Sequence, residues 1–366
     1  MRKVYSFNKI FTGTEWLHNQ VVIINNNIIE AVRPLQNSDN EPGHINYNDY
    51  LLMPSFIDVQ VYGAADRLLS AYPDMETLEV MNSEFLKRGT ILFMPTVATN
   101  TLAIFKKCID AVRDYWKNGG KGVHGIHLEG PWINPEKKGA HLEECIHSPT
   151  ENEVKELLEY GKDIIKMITI APEMCSDEVI ELIRSYNITI SAGHSNASYQ
   201  QATESFNKGI NTVTHLYNAM SPLHHREPGM VGSVLDHETV RSSIVPDGYH
   251  VDYAALRIAK KMMGNRLFAI TDAVTETKMG PYQHHLSGNK YESNGILSGS
   301  ALCMYQAFLN LVQYAGIGID EAHRMCSLYP AEILKQDNKY GKIAPGYIAQ
   351  FVVLNNDLEL KEIITC

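Results

Sequence analysis

Short apolar segments alternate with amphipathic segments through the middle of the 366-residue chain. Eight of the apolar segments are short and rich in β-branched residues, which favours β-strands. They span residues 56–61, 91–94, 123–128, 164–170, 188–192, 212–214, 242–245 and 267–271. Strands that alternate with helices are typical of a parallel sheet, and eight βα units predict a (β/α)₈ TIM-like barrel. An open doubly wound sheet would need a GxGxxG segment after an early strand, and the sequence carries none there.

The helix starts in this region are marked by two predicted capping boxes. The first spans residues 148–151, with a proline at the first helical position, and the second pairs Ser198 with Gln201. A further helix is predicted over residues 74–88, because its apolar positions share one face and Gly89 follows as a natural C-terminal residue. All three helices fit between predicted strands.

Both ends of the chain have the pattern of strands rather than helices. The segments concerned are 21–24, 28–29, 341–354 and 361–364. Because an isolated hairpin is marginally stable in water, the two ends are predicted to pair. The prediction is a small β-sandwich domain formed by residues 1–53 plus 341–366, with residues 54–340 inserted as the barrel.

Composition narrows the possible partners and the compartment. The chain has 32 Lys and Arg against 42 Asp and Glu, a formal net charge of −10, which disfavours binding to nucleic acid or to an anionic membrane. The six cysteines are scattered without a CxxC pair, as expected in a reducing compartment. No apolar segment resembles a signal peptide or is long enough to span a bilayer. These features predict a soluble, cytoplasmic protein.

Most of the predicted barrel strands end at a residue capable of chemistry, and four of these residues form a recognisable set. Glu129, His194, His215 and Asp272 follow four different strands. In a (β/α)₈ barrel the C-terminal ends of the strands share one mouth. One carboxylate and two imidazoles can hold a catalytic divalent metal and leave a position for water, on which Asp272 could act as a base. The four residues together therefore indicate a metal-dependent active site.

Several longer motifs carry a family resemblance. They are HLEGPWINPEKKGAH at 127–141, GHS at 193–195, THLYNAMSPLHHREPG at 214–229, DGYH at 247–250, TDA at 271–273 and LSGSA at 297–301. On these motifs the sequence resembles the N-acetylglucosamine-6-phosphate deacetylases of the amidohydrolase superfamily. The resemblance runs from Pro54 to the closing hairpin, and it implies a barrel inside a small split β domain.

The resemblance also implies roles for individual residues. Glu129, His194 and His215 would be the metal ligands, Asp272 would transfer protons, and His141 would polarise the acetyl carbonyl oxygen. The pocket for the sugar phosphate would be lined by Ala140, His141, Asn218, Ala219, Arg226, His250, Leu297, Ser298 and Gly299. Arg226 is the natural phosphate partner, since a guanidinium group matches phosphate oxygens. The resemblance further implies a homodimer, with pocket residues contributed across its interface.

The first predicted strand departs from the wider superfamily pattern. Many amidohydrolases carry His-x-His there for a second metal, whereas this chain has Gln60-Val61-Tyr62. An amide is a poor transition-metal ligand beside imidazole, so Gln60 is expected near the site but not as a strong ligand. The prediction is one divalent ion per chain, zinc first, with iron or cobalt also compatible.

The implied reaction is hydrolysis of N-acetyl-D-glucosamine 6-phosphate to D-glucosamine 6-phosphate and acetate, a step of amino sugar catabolism. Water activated by the metal would attack the acetyl group, with Asp272 as general base and then general acid. Two alternatives stay open at this point. The chain could be another amidohydrolase that acts on a phosphorylated amide, or a sugar-phosphate-binding protein without catalysis.

Overall fold

A computed structural model describes residues 2–36 and 44–365. The chain divides into two compact units. The first comprises Met1–Ile57, Phe85–Ile91 and Met304–Cys366, and the second comprises Asp58–Glu84 and Leu92–Cys303. The domain division at residues 54 and 340 stays a prediction.

Both ends of the chain contribute to one mixed sheet. Its strands in the described residues are Arg2–Phe11, Trp16–Asn25, Ile28–Pro34, His44–Asn46, Leu51–Pro54, Gln350–Leu354 and Leu360–Thr365. The C-terminal strand Gln350–Leu354 pairs antiparallel with Leu51–Pro54, which joins the two ends. Phe7, Ile10 and Phe351 are among the fully buried side chains on this sheet. The predicted pairing of the termini is therefore confirmed.

Eight parallel strands in the described residues form the barrel, each bonded to the next along the chain. They are Phe56–Val61, Thr90–Ala98, Ile126–Glu129, Ile165–Ile170, Thr189–Ala192, Thr212–Val213, Arg241–Ile244 and Leu267–Ala269. A parallel bridge between Val61 and Ala273 links the first strand to the segment after the last, so the sheet is nearly closed. The predicted (β/α)₈ barrel is confirmed, with every predicted strand present.

The helices of the described residues mostly follow barrel strands. They are Met75–Leu86, Leu102–Lys117, Glu151–Tyr160, Asp177–Ser185, Tyr199–Asn207, Gly229–Asp236, Tyr253–Met263, Met304–Gln313, Ile319–Cys326 and Leu328–Ile333. Each of the longer ones buries a single apolar face; Leu102–Lys117, for example, buries Phe105, Ile109 and Val112. Within the described ranges, no helix combines the length and the apolar character needed to cross a membrane.

One of the two predicted capping boxes is correct. The Ser198 hydroxyl accepts from the Gln201 backbone N–H, and the Gln201 side chain accepts from the Ser198 backbone N–H. The box predicted at 148–151 is wrong, because Thr150 caps that helix and accepts from the Glu153 backbone N–H. Both Ser148 and Thr150 carry a hydroxyl that can cap, and Thr150 also has a Glu three residues later, so the pattern alone did not separate them.

Two small insertions at the mouth of the barrel were not predicted. A three-stranded antiparallel sheet follows the last barrel strand, with strands His285–Ser287, Lys290–Ser293 and Ile296–Ser300. A two-stranded pair, Gly63–Ala64 with Arg67–Leu68, follows the first barrel strand. Both insertions contribute side chains to the cavity described next, so they shape the site.

Candidate active site

Glu129, His194 and His215 converge at the C-terminal ends of the third, fifth and sixth barrel strands. Glu129 Oε1 lies 3.3 Å from His194 Nε2 and 3.1 Å from His215 Nε2, and the two imidazole nitrogens are 3.1 Å apart. The three residues are 1%, 5% and 4% exposed, respectively. Around a tetrahedral ion with bonds of about 2.0–2.1 Å, ligand atoms lie about 3.3 Å apart. These three atoms therefore have the spacing of ligands to one metal ion.

A hydrogen bond orients the imidazole of His194 for such a role, and nearby carboxylates act on His215. His194 Nδ1 lies 2.8 Å from the Lys137 carbonyl oxygen, and because a carbonyl only accepts, Nδ1 carries the proton and Nε2 presents a lone pair. Burial opposes a charge on His215, yet Glu129 and Asp272 together raise its pKa, so the surroundings favour positive charge. The cluster is thus a candidate site for a divalent cation.

His141 contacts the same carboxylate from the other side, with Nε2 3.3 Å from Glu129 Oε2. Glu129, His141 and His194 could also hold an ion as a set. However, the Thr99 backbone N–H donates to His141 Nδ1 at 3.3 Å, and the Thr99 hydroxyl lies 2.7 Å from the same nitrogen. A backbone N–H only donates, so Nδ1 accepts and the proton sits on Nε2. Burial lowers the pKa of His141 to about 4, which keeps the ring neutral, and His141 presents an N–H donor.

Asp272 lies beside the cluster, after the strand Leu267–Ala269. Its backbone is held at both ends: its N–H donates to the Gln60 carbonyl at 3.1 Å, and its carbonyl accepts from the Ser300 N–H at 3.0 Å. Its Oδ2 lies 4.0 Å from His250 Nε2. Burial raises the pKa of Asp272 above its ordinary value. A carboxyl group with a raised pKa suits a role in which it accepts a proton and later returns it.

A cavity of about 330 Å³ opens onto these groups. Eight of the predicted substrate-binding residues line it: Ala140, His141, Asn218, Ala219, His250, Leu297, Ser298 and Gly299. His250 is fixed there by its Nδ1, which lies 2.6 Å from Asp247 Oδ2. The volume falls in the range of small-molecule sites.

Comparison with known proteins places this site in a family. Residues 51–365 match the Amidohydrolase family. The chain belongs to the amidohydrolase family. It is therefore a hydrolase, and a buried Glu and His cluster at the strand ends of the barrel is what an amidohydrolase needs for its metal.

Individual relatives of this amidohydrolase are similar over almost the whole chain. An N-acetylglucosamine-6-phosphate deacetylase of Haemophilus influenzae is 34% identical over 362 residues, covering 96% of this chain and 94% of the relative. An N-acetylgalactosamine-6-phosphate deacetylase of Escherichia coli O157:H7 is 30% identical, covering 99% and 98%. The crystal structure of N-acetylglucosamine-6-phosphate deacetylase from Pasteurella multocida superposes with a TM-score of 0.94 at 32% identity, covering 100% and 98%. The resemblance stated from the motifs is confirmed.

In this amidohydrolase the side-chain amide of Gln60 lies between the carboxylates of Glu129 and Asp272. Its Nε2 is 3.0 Å from Glu129 Oε1 and 2.9 Å from Asp272 Oδ1. Carboxylate oxygens accept, so the nitrogen of the amide must face them. Gln60 is placed as a hydrogen-bond donor between the two acids.

The structure separates one predicted residue from the others and adds several. Arg226 is exposed and is not among the described residues that line the amidohydrolase cavity. Tyr282 and His284, which precede the inserted three-stranded sheet, do line it, and His284 Nδ1 lies 2.8 Å from the Ser298 hydroxyl. Sequence reasoning missed both, because they lie in a polar segment without a strand or helix pattern. Lys137 also lines the cavity, within the motif at 127–141.

Proposed function

We propose that this amidohydrolase removes the acetyl group from N-acetyl-D-glucosamine 6-phosphate, giving D-glucosamine 6-phosphate and acetate. The observation that carries the proposal is the cluster of Glu129, His194 and His215 beside the buried carboxyl of Asp272. The deacetylase relatives, which cover nearly the whole chain, support the substrate.

In the proposed reaction, Glu129, His194 and His215 would hold one divalent ion, which would lower the pKa of a bound water molecule. Asp272 accepts a proton from the attacking water while the oxygen of that water forms a bond to the acetyl carbon. His141 Nε2–H donates to the carbonyl oxygen, where negative charge develops, a contribution of about 3 kcal/mol for one such donor in comparable sites. Asp272 then delivers its proton to the sugar nitrogen as the carbon–nitrogen bond breaks, because a neutral amine leaves far more readily than an amide anion.

The direct test is the release of acetate and free amine from N-acetylglucosamine 6-phosphate by metal-replete protein. We expect equal amounts of the two products, and a much lower kcat/KM for N-acetylglucosamine without the phosphate. The galactosamine isomer is assayed in parallel, because one relative is named for it. Binding of the sugar phosphate without product would instead identify a non-catalytic binding protein and would contradict the proposal.

The zinc ion, the homodimer and the cytoplasmic location belong to the same proposal. One ion per chain is supported by Gln60, whose amide is occupied as a donor to Glu129 and Asp272. A reducing compartment is supported by Cys108, Cys145, Cys175 and Cys303, which form no disulfide within the described ranges. For the phosphate we propose His250 in the cavity together with Arg226, which a second copy of the chain would bring to the site.

Arg226→Ala is expected to raise KM for the sugar phosphate about 10–100-fold, with little change in kcat, because it removes a charged hydrogen-bond donor to phosphate. Initial rates over a range of substrate concentrations measure this. Arg113→Ala is the control, since Arg113 is an exposed arginine bonded to Asp110 and the Tyr160 carbonyl. Light scattering tests the homodimer, because the mass of the wild-type protein in solution should be that of two chains. An unchanged KM in Arg226→Ala would remove Arg226 from the phosphate site.

A further inference from the structure

Tyr62 reaches the metal cluster from a part of the wall that none of the proposed steps uses. Its hydroxyl donates to Glu129 Oε2 and lies 2.9 Å from Gln60 Nε2. Its backbone N–H donates to the Ala273 carbonyl at 2.9 Å, next to Asp272 in the chain. Its ring packs with the apolar group around Val274. The phenol is therefore held in place by both its backbone and its ring.

The two oxygens of Glu129 have different surroundings as a result. Oε1 faces His194 Nε2 and His215 Nε2, the other two atoms of the cluster, and accepts from Gln60 Nε2 at 3.0 Å. Oε2 faces the Tyr62 hydroxyl, with His141 Nε2 at 3.3 Å. A carboxylate that accepts a hydrogen bond through one oxygen is restrained against rotation about its last torsion. Oε1 is left as the oxygen presented to the two imidazoles.

We propose that Tyr62 is a positioning residue for the metal site: its hydroxyl holds Glu129 Oε2 so that Oε1 is presented to the ion together with His194 and His215. The inference rests on the metal site of the proposed function but not on its substrate. Groups that hydrogen-bond to a metal ligand typically change metal affinity about 10–100-fold when they are removed. Tyr62 is such a group for Glu129, the one carboxylate among the three proposed ligands.

Metal affinity is the quantity that tests this role. Tyr62→Phe deletes one oxygen atom and keeps the ring, and its dissociation constant for zinc is measured by competition with a chromogenic chelator. We expect the constant to rise about 10–100-fold. The matched control is Tyr282→Phe, which deletes the same atom from a tyrosine of the same apolar group, whose hydroxyl donates to the Thr99 carbonyl at 2.6 Å. We expect the zinc affinity of this control to match the wild type.

A second pair of variants separates the hydrogen bond from packing. Tyr62→Gln and Tyr62→Leu have side chains of similar size, but only glutamine can donate to Glu129 Oε2. We expect tighter zinc binding in Tyr62→Gln than in Tyr62→Leu. The inference is overturned if Tyr62→Phe binds zinc as tightly as the wild type, if Tyr282→Phe weakens binding equally, or if the Gln and Leu variants do not differ. If Tyr62→Phe binds zinc more weakly than the wild type but the zinc-loaded wild type releases no acetate, this inference stands and the proposed substrate is rejected.

Discussion

Asp272→Asn is expected to lower kcat for acetate release by about 10²–10⁴-fold, the usual contribution of a general acid–base residue. Asparagine has almost the same size, and its amide oxygen can still accept from Gln60 Nε2. It also tolerates the left-handed backbone of this position, where φ is 53°. It cannot accept a proton from water and return it to the amine. Substrate binding and metal content should therefore stay close to the wild type while turnover is lost.

The control for this variant is Glu173→Gln, which also neutralises a carboxylate near the strand ends. Glu173 accepts from Asn134, from the Ser195 hydroxyl and from the Asn196 backbone N–H, and it is not among the described residues that line the cavity. We expect a far smaller change in kcat for Glu173→Gln. Near-normal kcat in Asp272→Asn would refute the proton-transfer role, and loss of its metal would assign Asp272 to the metal ligands instead.

Asp272 shares an unusual backbone with two of the candidate ligands. His194, His215 and Asp272 have φ values of 49°, 37° and 53°, in the left-handed region that non-glycine residues rarely adopt. Each costs about 1–3 kcal/mol, and such residues cluster at functional sites. The left-handed turn stops the strand and points the side chain across the mouth of the barrel. At these three positions, one residue therefore both ends the strand and presents a candidate ligand or proton-transfer group.

The barrel was predictable because its signal is local. Each strand has its own short apolar run, and each run is bounded by Gly, Pro or polar residues that stop it. The second strand shows the limit of this reasoning: the prediction ended at Met94, before Pro95, whereas the strand runs over Thr90–Ala98. Its pairing with the third strand begins at Thr96 and does not need a proline N–H. Hydrogen-bond partners decided this boundary, and they lie far away in the chain.

Contacts between distant residues explain what the sequence left open in the site. Gln60 and Tyr62 are separated from Glu129 by more than sixty positions, so their bonds to its two oxygens leave no local pattern. The proton on His141 Nε2 depends on the Thr99 backbone, which no motif contains. Arg226 was chosen from its chemistry and its neighbours, but its motif continues onto an exposed loop. Motifs predicted the candidate reacting groups, whereas the orientation of these groups came from the fold.

Removal of the metal is expected to abolish acetate release, and one equivalent of divalent ion per chain to restore it. The physical reason is the cluster itself, in which Glu129 Oε1 and two imidazole nitrogens lie within 3.3 Å of one another. Lone pairs so close repel one another unless a cation or a proton lies between them. The protein is dialysed against a chelator, and zinc, cobalt or iron(II) is titrated back while activity and bound metal are measured. Zinc is expected to restore activity with a break at one equivalent.

The same titration should appear in the stability of the protein. An ion that binds only the folded chain stabilises it by RT ln(1 + [L]/Kd), so Tm should rise with zinc in the wild type. His194→Ala, which removes one of the three ligand atoms, should lose both the activity and most of the zinc-dependent rise in Tm. A break at two equivalents would contradict the placement of Gln60 as a donor rather than a ligand. Full activity in protein shown to be free of metal would contradict the metal site, because Asp272 alone would then be activating the water.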